Sequence, residues 1–155
     1  MQNKSRITEQ EWSQRYLEVL RDLSKEGKEV SLKISGWSMN PFLSHQRDYI
    51  YFKKPDRKLK KGDMAFFQRD NGSFAMHRIY KDNKDGTYQF LGDGQSVIEN
   101  PIRQDQIFGL VNAVKRKGKI ITSKNVIWKF YQYVWPVLLP VRGKLVKIAG
   151  KLLGR

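Results

Sequence analysis

Three residues of this chain have the types needed for nucleophilic hydrolysis. Ser38 stands in Ser35-Gly36-Trp37-Ser38-Met39-Asn40-Pro41, directly after the alternating apolar positions Val30, Leu32 and Ile34. His77 stands in Met76-His77-Arg78-Ile79, inside a strand-like run, and Asp93 in the turn Leu91-Gly92-Asp93-Gly94. A serine hydroxyl is a poor nucleophile at neutral pH. It needs a base within hydrogen-bond reach and donors for the developing oxyanion. Imidazole, which titrates near 6.5, suits the base. A carboxylate on its other nitrogen would hold the useful tautomer. Spacing alone leaves open whether the three meet, because a loop serine is commonly a turn residue and a strand histidine commonly structural.

The elements that must position them read as follows. Residues 8–26 predict an amphipathic helix. Thr8-Glu9-Gln10-Glu11 fits a capping box, and Trp12, Tyr16, Val19, Leu20 and Leu23 recur on one face before Gly27 stops the helix. From residue 28 to about 122 the pattern changes to short strands with turns. Val30–Ile34, Tyr49–Phe52, Met64–Phe67, Phe74–Tyr80, Thr87–Leu91, Ile107–Val114 and Lys119–Thr122 are the strand candidates. Asp70-Asn71-Gly72, Asp85-Gly86 and Arg116-Lys117-Gly118 supply hairpin turns. The expected fold class is mainly β, a rolled or barrel-like sheet with helices at both ends. Asp63 reads as closing a turn before Met64, and Arg78 as a structural partner for a carboxylate. His45 reads as a solvated loop residue.

The chain has 155 residues and a net charge of +15, and that charge is uneven. From Lys115 to Arg155 there are 11 Lys and Arg and no acid, which leaves residues 1–114 with 19 bases and 15 acids, a net of +4. A nearly balanced body argues against a nucleic-acid-binding core. There is no cysteine, and the two histidines have no His-Glu cluster beside them. Disulfides and a metal site are therefore not expected, nor is any other cofactor. The first thirty residues show no secretory h-region.

The segment 126–155 is distinct. Val126–Val141 is apolar and aromatic, interrupted by Lys129, Pro136 and Pro140. Beyond it, Lys144, Lys147, Lys151 and Arg155 alternate with Leu145, Ile148, Leu152 and Leu153. This composition predicts a cationic amphipathic helix lying on an anionic membrane surface, peripheral and at the cytoplasmic face.

Gly36-Trp37-Ser38-Met39-Asn40-Pro41-Phe42-Leu43, Asp48-Tyr49-Ile50, Lys61-Gly62-Asp63-Met64, His77-Arg78-Ile79 and Gly92-Asp93 resemble, in order, the boxes of signal peptidase I. The same fold serves the self-cleaving domain of LexA-type repressors. The resemblance covers roughly residues 28–118. It implies a LexA/signal-peptidase-like serine endopeptidase with Ser38 as nucleophile. His77 stands where bacterial signal peptidases carry a lysine, so the chain looks like the endoplasmic-reticulum-type branch with a histidine base. In that branch acids of the last box assist, which maps onto Asp93, with Glu99 nearby as a second acid. Met39, Pro41, Asp63 and Gly92 match box positions.

Gly36 replaces a serine that assists the oxyanion hole in several signal peptidases, which leaves more of that role to the Ser38 N–H. The N-terminal membrane anchor typical of signal peptidases is not seen, and the helix over 8–26 stands in its place. The resulting division is an N-terminal helix over 1–27, a catalytic core over 28–122 and a basic aromatic tail over 123–155. The expected partner is a peptide or protein substrate. Alternative readings on the same fold are a membrane-surface module with little turnover, or a LexA-like self-cleaving switch. For the switch, Ala149-Gly150 is the one Ala-Gly pair.

Overall fold

A computed structural model describes residues 8–152; residues 1–7 and 153–155, and the side chain of Trp12, lie outside the described residues, as do Leu153 and Arg155 of the basic tail. An 8-stranded antiparallel sheet forms the body. Its strands are β1 (Val30–Lys33), β2 (Tyr49–Lys53), β3 (Met64–Gln68), β4 (Phe74–Asp82), β5 (Thr87–Leu91), β6 (Glu99–Arg103), β7 (Ile107–Arg116) and β8 (Lys119–Ile121). They lie in the order β1-β2-β7-β3-β4-β5-β6, with β8 paired to β7. The mainly β fold expected from the sequence is therefore present.

All seven strand candidates form strands, as β1 to β5, β7 and β8, and two turns show why. At the β7–β8 hairpin, Lys117 and Gly118 both have positive φ, 50° and 79°, the backbone that matches the twist of a tight hairpin. At the β3–β4 turn, Asn71 Oδ1 accepts from the Ser73 N–H at 3.0 Å and Gly72 has φ 87°. The added strand is β6, which sequence patterning does not mark because Pro101 sits inside it. An edge strand tolerates proline, since one side needs no ladder donor. Among the described residues β6 pairs with β5 alone.

Helix α1 (Glu9–Lys25) starts with the capping box, in which Thr8 and Glu11 bond reciprocally. It ends in a Schellman arrangement: the Lys28 N–H donates to Leu23 O and the Gly27 N–H to Ser24 O, with Gly27 at φ 86°. Leu17, Leu20 and Leu23 face the main core with Ile50, Phe52, Phe66, Phe108 and Val114. Ser24 Oγ donates to Phe108 O at 2.9 Å, and Arg21 donates to Gln68 at 2.8 Å. These polar bonds fix the helix against β7 and β3. A second apolar cluster, with Phe67, Ile79, Phe90 and Leu110, fills another part of the sheet.

The tail is a run of helical turns: α2 (Val126–Lys129), a π turn (Phe130–Val134), a 3₁₀ turn (Trp135–Leu138) and α3 (Leu139–Leu152). Asn125 caps α2 through its side chain. Its packing differs from that of a separate interfacial segment. Trp128 joins the main core and meets Phe42 edge-on at 6.0 Å, while Tyr131 lies 4.9 Å from the same ring. Gln132 presses on Gly62, where a Cβ would stand 2.5 Å from its Cγ. Trp135 and Arg142 are buried. The boundary at 122/123 therefore divides the sequence but not the packing, because the core uses side chains from beyond it. No helix among the described residues is long and apolar enough to cross a membrane.

Truncating the buried indole of Trp135 removes core contacts and its N–H bond together. The Trp135→Ala protein is expected to lose about 3–5 kcal/mol of stability, measured by denaturant unfolding. A loss within experimental scatter would show that the tail is dispensable to the fold.

Candidate active site

Ser38 lies in the connection between β1 and β2, and the loop is held from both sides. On one side Gly36, at φ 94°, turns the chain and its N–H donates to His45 Nδ1 at 2.8 Å. The Trp37 and His45 rings sit 5.2 Å apart. His45 is thus a support for the serine loop, not the solvated residue its polar sequence context suggests. Met39, 3% exposed, anchors the loop in the core, and Pro41 follows through a cis peptide. Asp48 closes the base of the loop, accepting from the Ser44 N–H at 2.8 Å, the Lys117 N–H at 3.1 Å and the Arg47 guanidinium. Burial works against its charged form, yet those donors outweigh it and hold the carboxyl below its ordinary range.

On the other side the turn Gly92-Asp93-Gly94 fits directly under the serine. The Gly94 N–H donates to Ser38 O at 2.9 Å. A Cβ on Gly94 would stand 2.8 Å from both Trp37 O and Asn40 O, and one on Gly92 would collide with Ser38 O. Only glycine permits this backbone-to-backbone approach. Among the described residues, the Ser38 N–H donates to no acceptor of the protein, so it is free for an oxyanion.

His77 stands on β4, 3% exposed, edge-on to Phe67 at 6.0 Å. Its Nδ1 is buried and faces Glu99 Oε1 at 3.4 Å, without the alignment of a formed hydrogen bond. Glu99 is itself held by Arg69, with contacts of 2.9 and 2.6 Å. Burial pushes the His77 pKa below its ordinary value; Glu99 pulls it back up, Arg69 pushes it down and Asp93 raises it slightly. The hydrogen bonds from Arg69 keep Glu99 ionised, below the usual carboxylate range. At neutral pH His77 is therefore a neutral imidazole beside a fixed anion.

Asp93 does not sit on His77. Successive strand residues point to opposite faces, and Asp93 belongs to the face of Arg78. The Arg78 guanidinium donates to both Asp93 oxygens at 2.8 Å and to Gly62 O at 2.8 Å, with all of it buried. It also lies over the Phe42 ring at 5.5 Å. The sequence reading of Asp93 as the residue that orients the imidazole is corrected here: both its oxygens are taken by Arg78, and Glu99 is the acid facing His77. Arg78 is structural, as its sequence context suggests. Asp63 shapes its turn as expected, accepting from the Lys60 N–H at 2.9 Å and from Arg57.

Ser38 and His77 line one cavity of about 440 Å³, with Leu32, Ile34, Phe74 and Met76 among its apolar walls. Arg69 and Gln95 add polar groups, and Ser13, Tyr16 and Leu17 of α1 close one end. Ser38 Oγ and His77 share this space without a direct hydrogen bond. The arrangement offers a nucleophile, a neutral base, an anion behind the base and a free amide. Among the described residues no cluster of His, Cys, Asp and Glu could hold a metal ion.

Sequence reasoning missed Arg69, Trp135 and Arg142. The Trp135 Nε1–H donates to Asp93 O at 2.8 Å. Arg142 donates to Gly92 O at 2.9 Å and also to Gln95 O. Nothing local marks these residues, because each acts on a turn far away in the chain.

A family model described as Peptidase S24-like matches residues 3–111. That stretch holds Ser38, His77, Asp93 and Glu99, while the tail lies beyond it. Comparison with curated proteins gives no match.

Two substitutions separate the two acids. Asp93→Ala leaves the Arg78 charge buried without its partner and is expected to cost about 3–5 kcal/mol in unfolding measurements. Glu99→Gln removes the anion that raises the His77 pKa while Arg69 stays charged. The ring resonances of His77, followed by NMR, should titrate at lower pH than in the wild type. An upward move would show that Glu99 does not act on the imidazole.

Proposed function

The chain belongs to the Peptidase S24-like family, and from that premise we propose that it is a serine endopeptidase of the signal-peptidase-like kind with a histidine base. One observation carries the reading. The serine of the Gly-Trp-Ser-Met-Asn-Pro loop and a buried imidazole with a lowered pKa line the same cavity. A base that is neutral at pH 7 and shielded from bulk water is suited to take a hydroxyl proton.

In this mechanism Ser38 Oγ attacks the carbonyl carbon of the scissile peptide while His77 takes the hydroxyl proton. The Ser38 N–H receives the oxyanion. Collapse breaks the C–N bond, and the proton passes from His77 to the departing amine, leaving an ester on Ser38. Water then attacks the ester, giving its proton to His77. The second collapse releases the carboxylic acid and returns the proton to Ser38. Glu99 stabilises the imidazolium formed in each half, a role that the Arg69 contacts support by keeping it ionised.

The substrate is an extended segment. Among the described residues strand β1 pairs with β2 alone, which leaves its other edge for an added strand. Leu32–Ser35 and Phe74–His77 of β4 both line the cavity, which gives such a segment two walls. Small side chains at the cleavage site follow from the likeness to signal peptidases. A membrane-surface module on the same fold with little turnover, and a chain that cuts itself, are the competing outcomes of the test.

Ser38→Ala should abolish both peptide cleavage and labelling by a serine-reactive acylating probe. His77→Ala should lower the rate by about 10²–10⁴. Protonation removes the lone pair of the base, so activity should fall as pH drops through the His77 pKa. Burial places that limb below the ordinary value of about 6.5. A rate that holds flat down to the pH at which the protein unfolds would eliminate His77 as the base. A Ser38→Ala protein with undiminished cleavage would eliminate the reading altogether. Labelling of Ser38 without turnover of any peptide in a library would favour the membrane-surface module with little turnover. A shortened form of the purified wild-type chain would favour self-cleavage.

A further inference from the structure

The inner side of α3 is fixed to the domain, and its outer side is not. Val137, Val141, Leu145, Ile148 and Leu152 are all exposed, Val137 at 71% and Leu152 at 81%. The four that lie in α3, from Val141 on, fall at steps of four, three and four residues, which places them in one stripe of the helix. Lys144, Lys147 and Lys151 are also exposed and lie along one flank of that stripe. Arg142, buried, lies along the other flank of the stripe, across the helix from the lysines. No acidic residue follows Asp105 in the chain.

We propose that this outer face of α3 docks on a lipid bilayer carrying anionic headgroups. The apolar stripe would enter the boundary between headgroups and acyl chains, and the lysines would reach the lipid phosphates along its flank. Charge complementarity selects this occupant. A second copy of the same face would set its own lysines against them with no acid in the tail to compensate, whereas an anionic surface matches every lysine in the row. The clasp of Arg142 on Gly92 O and Gln95 O extends the consequence to the site. Gln95 lines the cavity that holds Ser38. A docked α3 thus sets the orientation of that cavity to the bilayer and favours membrane-proximal segments. That last step rests on the peptidase reading, whereas the docking does not.

The test uses the full chain and sedimentation with vesicles of phosphatidylcholine, with and without phosphatidylglycerol. Wild type should bind only the anionic vesicles. Replacing Lys144, Lys147 and Lys151 by Gln should weaken binding by about a hundredfold. The double change Leu145→Gln and Ile148→Gln keeps the charge and should weaken it at least about tenfold. Circular dichroism and unfolding curves should match wild type, since these side chains are exposed. Ser38→Ala should bind as wild type does, which separates docking from catalysis. Equal binding of the double variant would overturn the proposal. So would equal binding of wild type to both vesicle types, or a lipid-free dimer that the double variant dissociates.

Discussion

The buried ion pair between Arg78 and Asp93 is the constraint on which the site depends. Removing two charges from water is costly, and the geometry must compensate in full. It does so with two aligned bonds of 2.8 Å and a third from Arg78 to Gly62 O. The pair thereby locks the Gly92-Asp93-Gly94 turn to β4. That turn in turn carries Ser38, through the Gly94 N–H and through two glycines that leave no room for side chains. Ser38 and His77 are thus referred to the same strand. His77 is on β4 itself, and Ser38 is tied to the residue beside it. Such a pair adds little net stability over an apolar replacement. Its contribution is to make one relative position of two loops much better than any other.

The alternation of β4 separates two tasks that a single carboxylate could not perform together. On one face Arg78 needs an acid fully committed by hydrogen bonds. On the other His77 needs an acid near enough to favour its imidazolium without holding it permanently charged. Glu99 meets the second need because Arg69 takes most of its charge-assisted bonding. Burial then keeps the resting imidazole neutral, against the pull of Glu99. A direct Asp93–His77 contact would have raised the pKa further and left Arg78 buried alone. The division between faces removes that conflict.

The sequence discloses this fold where the signal is local. The capping box at Thr8, the Gly27 stop and the hairpin turns at Gly72 and Gly118 are each written within a few residues, and each forms. Strand β6 is not legible because Pro101 argues against a strand, and only its position at the sheet edge makes the proline harmless. The serine and histidine boxes are visible as motifs, and the structure brings them to one cavity. The assignment of Asp93 fails for a reason that sequence order hides. Strand parity decides which face an acid can serve, and that parity appears only once the β4–β5 register, Arg78 opposite Leu91, is known. Arg69, Trp135 and Arg142 are invisible for the same reason, since their partners lie tens of residues away.

The tail shows how packing can divide a segment that composition presents as one piece. Its aromatic density and basic, acid-free composition read as a segment lying at a membrane interface. Yet Trp128, Gln132 and Trp135 are inside, and two of them complete polar or apolar contacts that the sheet alone leaves unfilled. The Asp93 carbonyl would otherwise be an unpaired acceptor beneath the tail, at a cost of about 1–3 kcal/mol. The turn under Ser38 is therefore gripped twice, by Arg78 from within and by Trp135 and Arg142 from the tail. A helix that both grips this turn and presents an apolar, lysine-flanked face outward cannot shift without moving the floor of the serine loop. Arg142 of α3 holds the Gly92 and Gln95 carbonyls and Trp135 of the preceding 3₁₀ turn holds that of Asp93, so the tail and the floor of the Ser38 loop pack as one unit.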